Sequence, residues 1–531
     1  MQYSALPTQQ GYAAYSLSAF DYHDPSMTTS NDCSYSVGSL NMKASHQSLR
    51  SVESADFPYD RALKTRNTCI AALIFCWIAG LAVLGFGIYI LWIIHTGAAE
   101  RNYWQLPHMV AEGIPLAINL CVTLIVETTG YIHTASLRWS LQREGKLTFN
   151  SNLRLLSFSR TSAPNAWYSN FIVLACITLA YASSSLAFWH SNKATDIGAL
   201  FALEVDYVTV GGLSFFFLGL CILGLAGMST WALCATKIPS WSSSPLDTAY
   251  AAMHAGNIRR HPFRCMMSVH DARKPPAPTY PSARQKGAWR AHWEVRWVLI
   301  LLWVLVILCF AWAGIIKHLI PFFSPETPGF GSWSLVPDVH TSQLSFAPAI
   351  SNKFANALAI IALYAALQGP LTFGLHCAEL QVNLSRDEAF WRKATRPRTG
   401  CRLEDYDSVK AAFTSWQSLT LAGFKTVLHW CFGLSVQVLN GRVYFGAVQI
   451  VYLALLSSIL ASYVTYISAR RPKAPQPAAF GHLQTLVNLV DEWSAVLYWG
   501  HKSDGYPASP ACHAGTAASA LPSVKEAPYC G

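Results

Sequence analysis

Eight long apolar stretches lie between residues 68 and 468 of this chain, and each is near or above the roughly 20 residues that an α-helix needs to cross a bilayer. They run at 68–94, 109–134, 166–189, 207–234, 297–316, 354–378, 413–438 and 443–468. A bilayer core offers no water to backbone polar groups, so such stretches cross it as helices. The sequence therefore predicts an all-α, polytopic transmembrane helix bundle of about eight spans.

Basic residues fall almost entirely in every second gap between these stretches. Of the 38 lysines and arginines, 32 lie in 1–67, 135–165, 235–296, 379–412 and 469–531. Lysine and arginine close to a span are kept on the cytoplasmic side during insertion. We therefore predict a multi-pass protein with both termini cytoplasmic, which excludes a seven-span receptor with an external N-terminus. The pattern does not distinguish the plasma membrane from an endomembrane.

The charge pattern and the composition divide the chain into five segments. They are a disordered cytoplasmic N-terminal tail (1–60), a first four-span half (61–234), a basic, proline-containing cytoplasmic loop (235–296), a second four-span half (297–470) and a cytoplasmic tail (471–531). Proline density in the long loop argues against a folded domain there. Residues 500–531 also read as disordered. The apolar spacing within 479–499 predicts an amphipathic helix on the inner leaflet.

The two halves share a short sequence signature at the cytoplasmic ends of the second and sixth spans. Windows 132–144 and 375–387 are identical at five positions: His133 and His376, Ala135 and Ala378, Leu137 and Leu380, Leu141 and Leu384, Arg143 and Arg386. An even-numbered repeat unit keeps its orientation, so this match predicts two parallel four-helix repeats. Chance convergence at a membrane boundary is the alternative.

Several segments resemble an uncharacterised family of multi-pass integral membrane proteins of filamentous fungi. The resemblance rests on Tyr131-Ile-His-Thr-Ala-Ser-Leu-Arg-Trp139, Phe149-Asn-Ser-Asn-Leu-Arg154, Ser162-Ala-Pro-Asn-Ala-Trp-Tyr168, Leu375-His-Cys-Ala-Glu-Leu380 and Asn383-Leu-Ser-Arg-Asp-Glu388. It covers about residues 65–470 and leaves both tails outside. It implies a fungal integral membrane protein, and it brings no site residues with it.

Ionisable residues within the spans are the candidates for function, because a charge inside a bilayer costs about 2.5–3.5 kcal/mol on insertion scales. Four stand out: Glu112, Glu127, Lys425 and His429. Lys425 lies near the middle of the seventh stretch and Glu127 about two turns from the cytoplasmic end of the second, so their depths differ by about 8 Å at 1.5 Å per residue. A lysine side chain could bridge much of that difference. Three alternatives stay open for them: a structural tie, a proton- or substrate-linked switch, or no contact. His429 follows Lys425 by one helical turn and could extend a polar path.

His133 and His376 lie at the cytoplasmic ends of matching spans, where an imidazole would complement a helix C-terminus. Neither has a second ligand at His-x-x-His or Glu-x-x-His spacing, so we predict capping in preference to metal binding. The chain carries no zinc, P-loop or nucleophile-elbow motif. We predict no catalytic residue, no metal and no cofactor.

Three functions remain open. The first is a non-enzymatic membrane scaffold or sensor that acts through its loops and tails, with protein partners on the cytoplasmic side. The alternative is a secondary transporter or channel-like protein that uses Glu127, Lys425 and His429. An intramembrane enzyme is third. The net charge of +10 is explained by basic loops beside anionic inner-leaflet headgroups, so we predict lipid partners and no nucleic acid.

Overall fold

The structure is a computed structural model of the chain. It describes residues 62–97, 103–190, 205–323, 331–337, 341–348, 350–403, 414–439, 441–505 and 510–530. The predicted N-terminal tail lies outside the described residues.

Long apolar helices make up about half of the described chain. Eight of them coincide with the eight apolar stretches: α1 (Leu63–His95), α2 (His108–Arg143), α3 (Trp167–Ser185), α4 (Gly212–Ala235), α7 (Trp293–Phe323), α8 (Lys353–Cys377), α10 (Trp416–Ser435) and α11 (Ala447–Ala469). Side-chain caps begin two of them, since Asn352 accepts from two backbone amides of α8 and Ser415 accepts from one in α10.

Six of these helices are long and apolar enough to cross a membrane, namely all but α3 and α10. The chain is thus a mostly helical protein with six candidate membrane spans. The helices α3 and α10 are 19 and 20 residues long. Each carries a polar side chain within its apolar stretch, Asn170 in α3 and Lys425 in α10. Both lie in the middle of the bundle and contact helices of both halves.

In each half, the last helix packs against the first and the third. In the first half α4 packs against α1 and α3, and in the second α11 packs against α7 and α10. Gly87 and Gly219 let α1 and α4 approach closely, since a Cβ on either glycine would come within 2.4 Å of the other helix's backbone. Two reciprocal contacts join the halves: α3 packs on α8, and α10 packs on α2.

Three short antiparallel sheets accompany the helices, which corrects the all-α prediction. Six strands lie in the less basic gaps: β1 (Tyr103–Pro107), β2 (Phe188–His190), β3 (Val205–Val210), β4 (Gln343–Phe346), β6 (Val436–Leu439) and β7 (Arg442–Gly446). They form one sheet in each half, with the order β1-β3-β2 in the first and β4-β7-β6 in the second. In both sheets the central strand leads directly into the last helix of its half.

The basic gaps meet at the other end of the bundle in one folded core, which we call the loop-side core. It contains buried side chains from four of the five basic gaps, all but the N-terminal one, including Leu141, Leu246, Trp391, Leu486 and Tyr529. The loop 235–296 contributes α5 (Pro245–His254) to this core, and its short helix α6 (Ala288–Ala291) packs against the main core of the bundle. The predictions of an unfolded loop and of a disordered tail at 500–531 are therefore wrong for the described residues.

The predicted amphipathic helix 479–499 is also wrong. Helix α12 spans only Leu483–Leu489, and strand β8 (Val496–Ser503) follows it and pairs with β5 (Cys401–Arg402) and β9 (His513–Ala517). Residues four positions apart lie on one face of a helix and also on one face of an extended chain. The spacing of Trp493 and Leu497 therefore fits a helical pattern, although neither residue lies in a helix. The apolar face covers the loop-side core rather than a leaflet.

Candidate functional site

A buried lysine joins carboxylates from both halves at the centre of the bundle. The ammonium of Lys425 in α10 donates to a carboxylate oxygen of Glu127 in α2 and to one of Glu379. Glu379 begins helix α9 (Glu379–Trp391), which follows α8 after a break at Ala378. The side chain of Lys425 is 1% exposed, whereas those of Glu127 and Glu379 are 43% and 22% exposed.

A histidine and an arginine complete this charge cluster. His376 Nδ1 lies 2.7 Å from a Glu379 oxygen, and an Arg154 terminal nitrogen lies 3.2 Å from the same Nδ1. Arg154 comes from the loop after α2 and passes over Gly130, where a Cβ would lie 1.8 Å from its guanidinium. Two cations thus stand among two carboxylates, which keeps the buried charges in balance.

Polar side chains continue from the cluster along the interface between the halves. The ring of His429 stacks on Tyr181 with centroids 3.6 Å apart, and Gln368 Nε2 lies 2.9 Å from His429 Nδ1. Among the described residues, no group bonds to Nε2 of His376, Nε2 of His429 or Oε1 of Gln368. Buried polar atoms of this kind are ordinarily satisfied by water or a ligand.

The structure brings together two of the four predicted intramembrane residues. The contact between Glu127 and Lys425, one of three alternatives from the sequence, is present. His429 lies on the same helix and bonds to Gln368 instead of joining the ion pair. The side chain of Glu112 lies outside the described residues.

The predicted capping role is wrong for His133. His133 lies ten residues before the end of α2, because that helix continues into the loop-side core, where Leu137 and Leu141 are buried. His376 does lie at the end of α8, but its ring is held by Glu379 and Arg154. Of the two signature arginines, Arg143 is the last residue of α2 and Arg386 lies in the middle of α9.

Glu379 and Arg154 were missed from the sequence. The predicted sixth span ended at residue 378, so Glu379 fell into a loop, although it follows His376 at the i+3 spacing of a shared helical face. Ligand atoms of Glu127, His376 and Glu379 lie close enough together to hold a metal ion. The ammonium of Lys425 already stands among these atoms and would repel one.

The cluster can couple protonation to the packing of the two halves. Adding a proton to Glu127 or Glu379 removes a negative charge that compensates Lys425, and an uncompensated buried charge costs several kcal/mol. No protein-family model, curated protein or solved structure matches this chain.

Proposed function

We propose that the chain crosses the membrane eight times as two parallel four-helix repeats, with the loop-side core in the cytosol. Equal strand order in the two sheets supports the duplication. So does a matched hydrogen bond between the first and last helix of each half: Trp77 Nε1 donates to Thr230 and Trp303 Nε1 to Thr465, both at 3.1 Å. The basic loops support the orientation.

On this framework, we propose that the protein is a secondary transporter or channel-like protein with the charge cluster as its proton-linked switch. The supporting observation is that Lys425 is buried at the interface of the halves and paired with one carboxylate from each. Transporters built from repeats place their coupling sites at the repeat interface near the bilayer midplane. An ion pair across that interface holds the halves together only while both carboxylates are charged.

Glu127 is the carboxylate through which protons would enter. Its side chain is 43% exposed, compared with 22% for Glu379 and 1% for Lys425. The unpartnered atoms of His376, His429 and Gln368 extend the polar route away from it. A proton accepted at Glu127 would release Lys425 from the first half and let the two halves move apart.

The scaffold or sensor hypothesis has less structural support. It relied on unfolded segments, yet the loop 235–296 and the described part of the C-terminal tail contribute buried side chains to the loop-side core. Its remaining basis is the N-terminal tail, which lies outside the described residues.

The transporter proposal is tested by reconstituting the full chain in liposomes and recording proton uptake with an entrapped pH dye under an imposed membrane potential. We expect uptake by the native protein and its loss in Lys425→Met and Glu379→Gln. Lys353→Met is the matched control, because Lys353 is exposed at the start of α8. Native-level uptake by a correctly folded Lys425→Met protein would contradict the proposal, as would the absence of uptake by the native protein.

A further inference from the structure

A polar cavity of about 300 Å³ lies at the loop-side ends of α2 and α4. Its lining includes Ser140 and Arg143 from the last turns of α2, Thr161 and Ser162 from the following loop, and Trp231 from α4. The proposed switch uses none of these residues. An arginine grouped with the hydroxyls of Ser140 and Ser162 is a donor set suited to phosphate oxygens.

Exposed aromatic residues place this cavity at the depth of lipid headgroups. Trp231 is 43% exposed in the last turns of α4, while Trp167 and Tyr168 are 66% and 41% exposed at the start of α3. Tryptophan and tyrosine are enriched where a membrane meets water. A ligand in the cavity would therefore lie level with the headgroups of the adjacent leaflet.

Two hydroxyl groups of the cavity remain able to donate. Asn165, a buried residue next to the cavity, directs its Nδ2 at four hydroxyl oxygens, those of Ser140 and Ser162 among them at 3.1 and 2.9 Å. Among the described residues, no group accepts a hydrogen bond from the hydroxyl of Ser140 or Ser162, so their protons are available to another acceptor. Arg143 donates from Nε to the Trp139 carbonyl at 3.4 Å, and no described group takes its terminal nitrogens.

The nearest carboxylate does not neutralise Arg143. Glu144 accepts from Ser159 Oγ and from the amide and hydroxyl of Thr161, and it pairs with Lys146 at 2.6 Å. Burial alone would raise the pKa of Glu144, but Lys146 and these hydrogen bonds lower it to about 2. The negative charge of Glu144 is therefore compensated by Lys146 and by hydrogen bonds from the loop.

In the described part of the second half, the equivalent arginine is occupied. Arg386, which the repeat pairs with Arg143, donates to the hydroxyl of Ser418 at 3.1 Å. The residue that matches Ser418 in the first half is Ser169, whose hydroxyl donates to the Ala163 carbonyl at 2.7 Å. Ser418 thus accepts from Arg386, whereas the hydroxyl of Ser169 is used elsewhere, and Arg143 lines the cavity.

We propose that this cavity binds the phosphate group of an anionic phospholipid from the adjacent leaflet. Arg143 would hold two phosphate oxygens with its forked guanidinium, the hydroxyls of Ser140 and Ser162 would donate to the remaining oxygens, and Trp231 would lie along the glycerol region. The proposal does not depend on the transporter proposal, since it concerns different residues and requires no flux.

Retention of lipid by the purified full chain tests this site. The protein is reconstituted in phosphatidylcholine nanodiscs that contain a minor share of phosphatidic acid, extracted, and examined by native mass spectrometry for bound phosphatidic acid. Arg143→Gln should weaken retention roughly tenfold or more, as expected for a lost charge-assisted hydrogen bond. Arg160→Gln is the matched control, because Arg160 is an exposed arginine of the same loop that does not line the cavity.

A second variant and a competition with inorganic phosphate complete the test. If Arg143→Gln unfolds, the double variant Ser140→Ala with Ser162→Ala takes its place, and it should also lose retention. An excess of inorganic phosphate should leave the lipid bound. Equal retention by the cavity variants and Arg160→Gln would overturn the proposal, and so would displacement of the lipid by inorganic phosphate, which would identify a soluble phosphate as the ligand.

Discussion

Replacing Lys425 with methionine tests whether the charge cluster stabilises the contact between the halves. Methionine matches the length and the apolar part of the lysine side chain, so the variant removes a charge without opening a large cavity. It leaves Glu127 and Glu379 without the ammonium that both contact. The free energy of unfolding of the full chain in bicelles would report the loss.

The exposure and the partners of the two carboxylates determine how much stability Lys425→Met should lose. Removing one partner of a buried ion pair costs about 3–5 kcal/mol. Glu127 is 43% exposed and Glu379 keeps Arg154 nearby through His376, so both carboxylates retain some compensation. We therefore expect Lys425→Met to lose about 3 kcal/mol, at the lower end of that range.

A double-mutant cycle separates the ion pair from local packing. Glu127→Gln alone should cost less than Lys425→Met, and the double variant should recover most of the loss, because it removes one charge of each sign and leaves Arg154 with Glu379. We expect a coupling of roughly 2 kcal/mol, whereas exposed Lys353→Met should change stability by less than about 0.5 kcal/mol. A loss below about 1 kcal/mol for Lys425→Met, or additive single effects, would refute the reasoning.

Two further predictions concern other residues. Burial, reinforced by nearby His292, lowers the pKa of His482 to about 4. The folded protein therefore holds this ring neutral and is most stable above pH 6.5, where the ring is also neutral in the unfolded chain. Acidification from pH 7 to 4.5 should lower the free energy of unfolding by roughly 2.5 kcal/mol. His482→Asn keeps a capping residue at the start of α12 and should flatten this part of the stability–pH profile. Gly130→Ala should lower the free energy of unfolding by about 1–3 kcal/mol, because the added Cβ displaces Arg154. Gly113→Ala in the same helix should cause no such loss, since an added Cβ there meets no atom within 4 Å. Thermal unfolding of the two variants measures both effects.

The helices were predictable because each is specified by a contiguous run of apolar residues. The depths of Glu127 and Lys425 followed from those runs, which is why their contact could be named as an alternative. The end of a helix was harder to predict, since an apolar window stops at the first charges. The helix α2 continues past Arg138 because that side chain donates to two backbone carbonyls of the loop-side core.

The loop-side core was not predictable, because its buried residues are scattered. Leu246, Trp391 and Tyr529 come from three segments, and each lies among polar or small neighbours without a period of its own. Their burial depends on contacts between segments that lie far apart in the chain. Some of the short strands also pair with partners far along the chain, as β1 does with β3 and β4 with β7, so neither strand of such a pair carries a strong local signal.

The composition of the loop-side core has a consequence for how the protein matures. Leu137 and Tyr529 share this core although they lie about 390 residues apart, so the first loop to be synthesised has to wait for the final strands before its apolar side chains are covered. Membrane insertion of the helices would then precede folding of the loops. During that interval the loops expose apolar surface that favours aggregation, and a chaperone on that side of the membrane would raise the yield of folded protein.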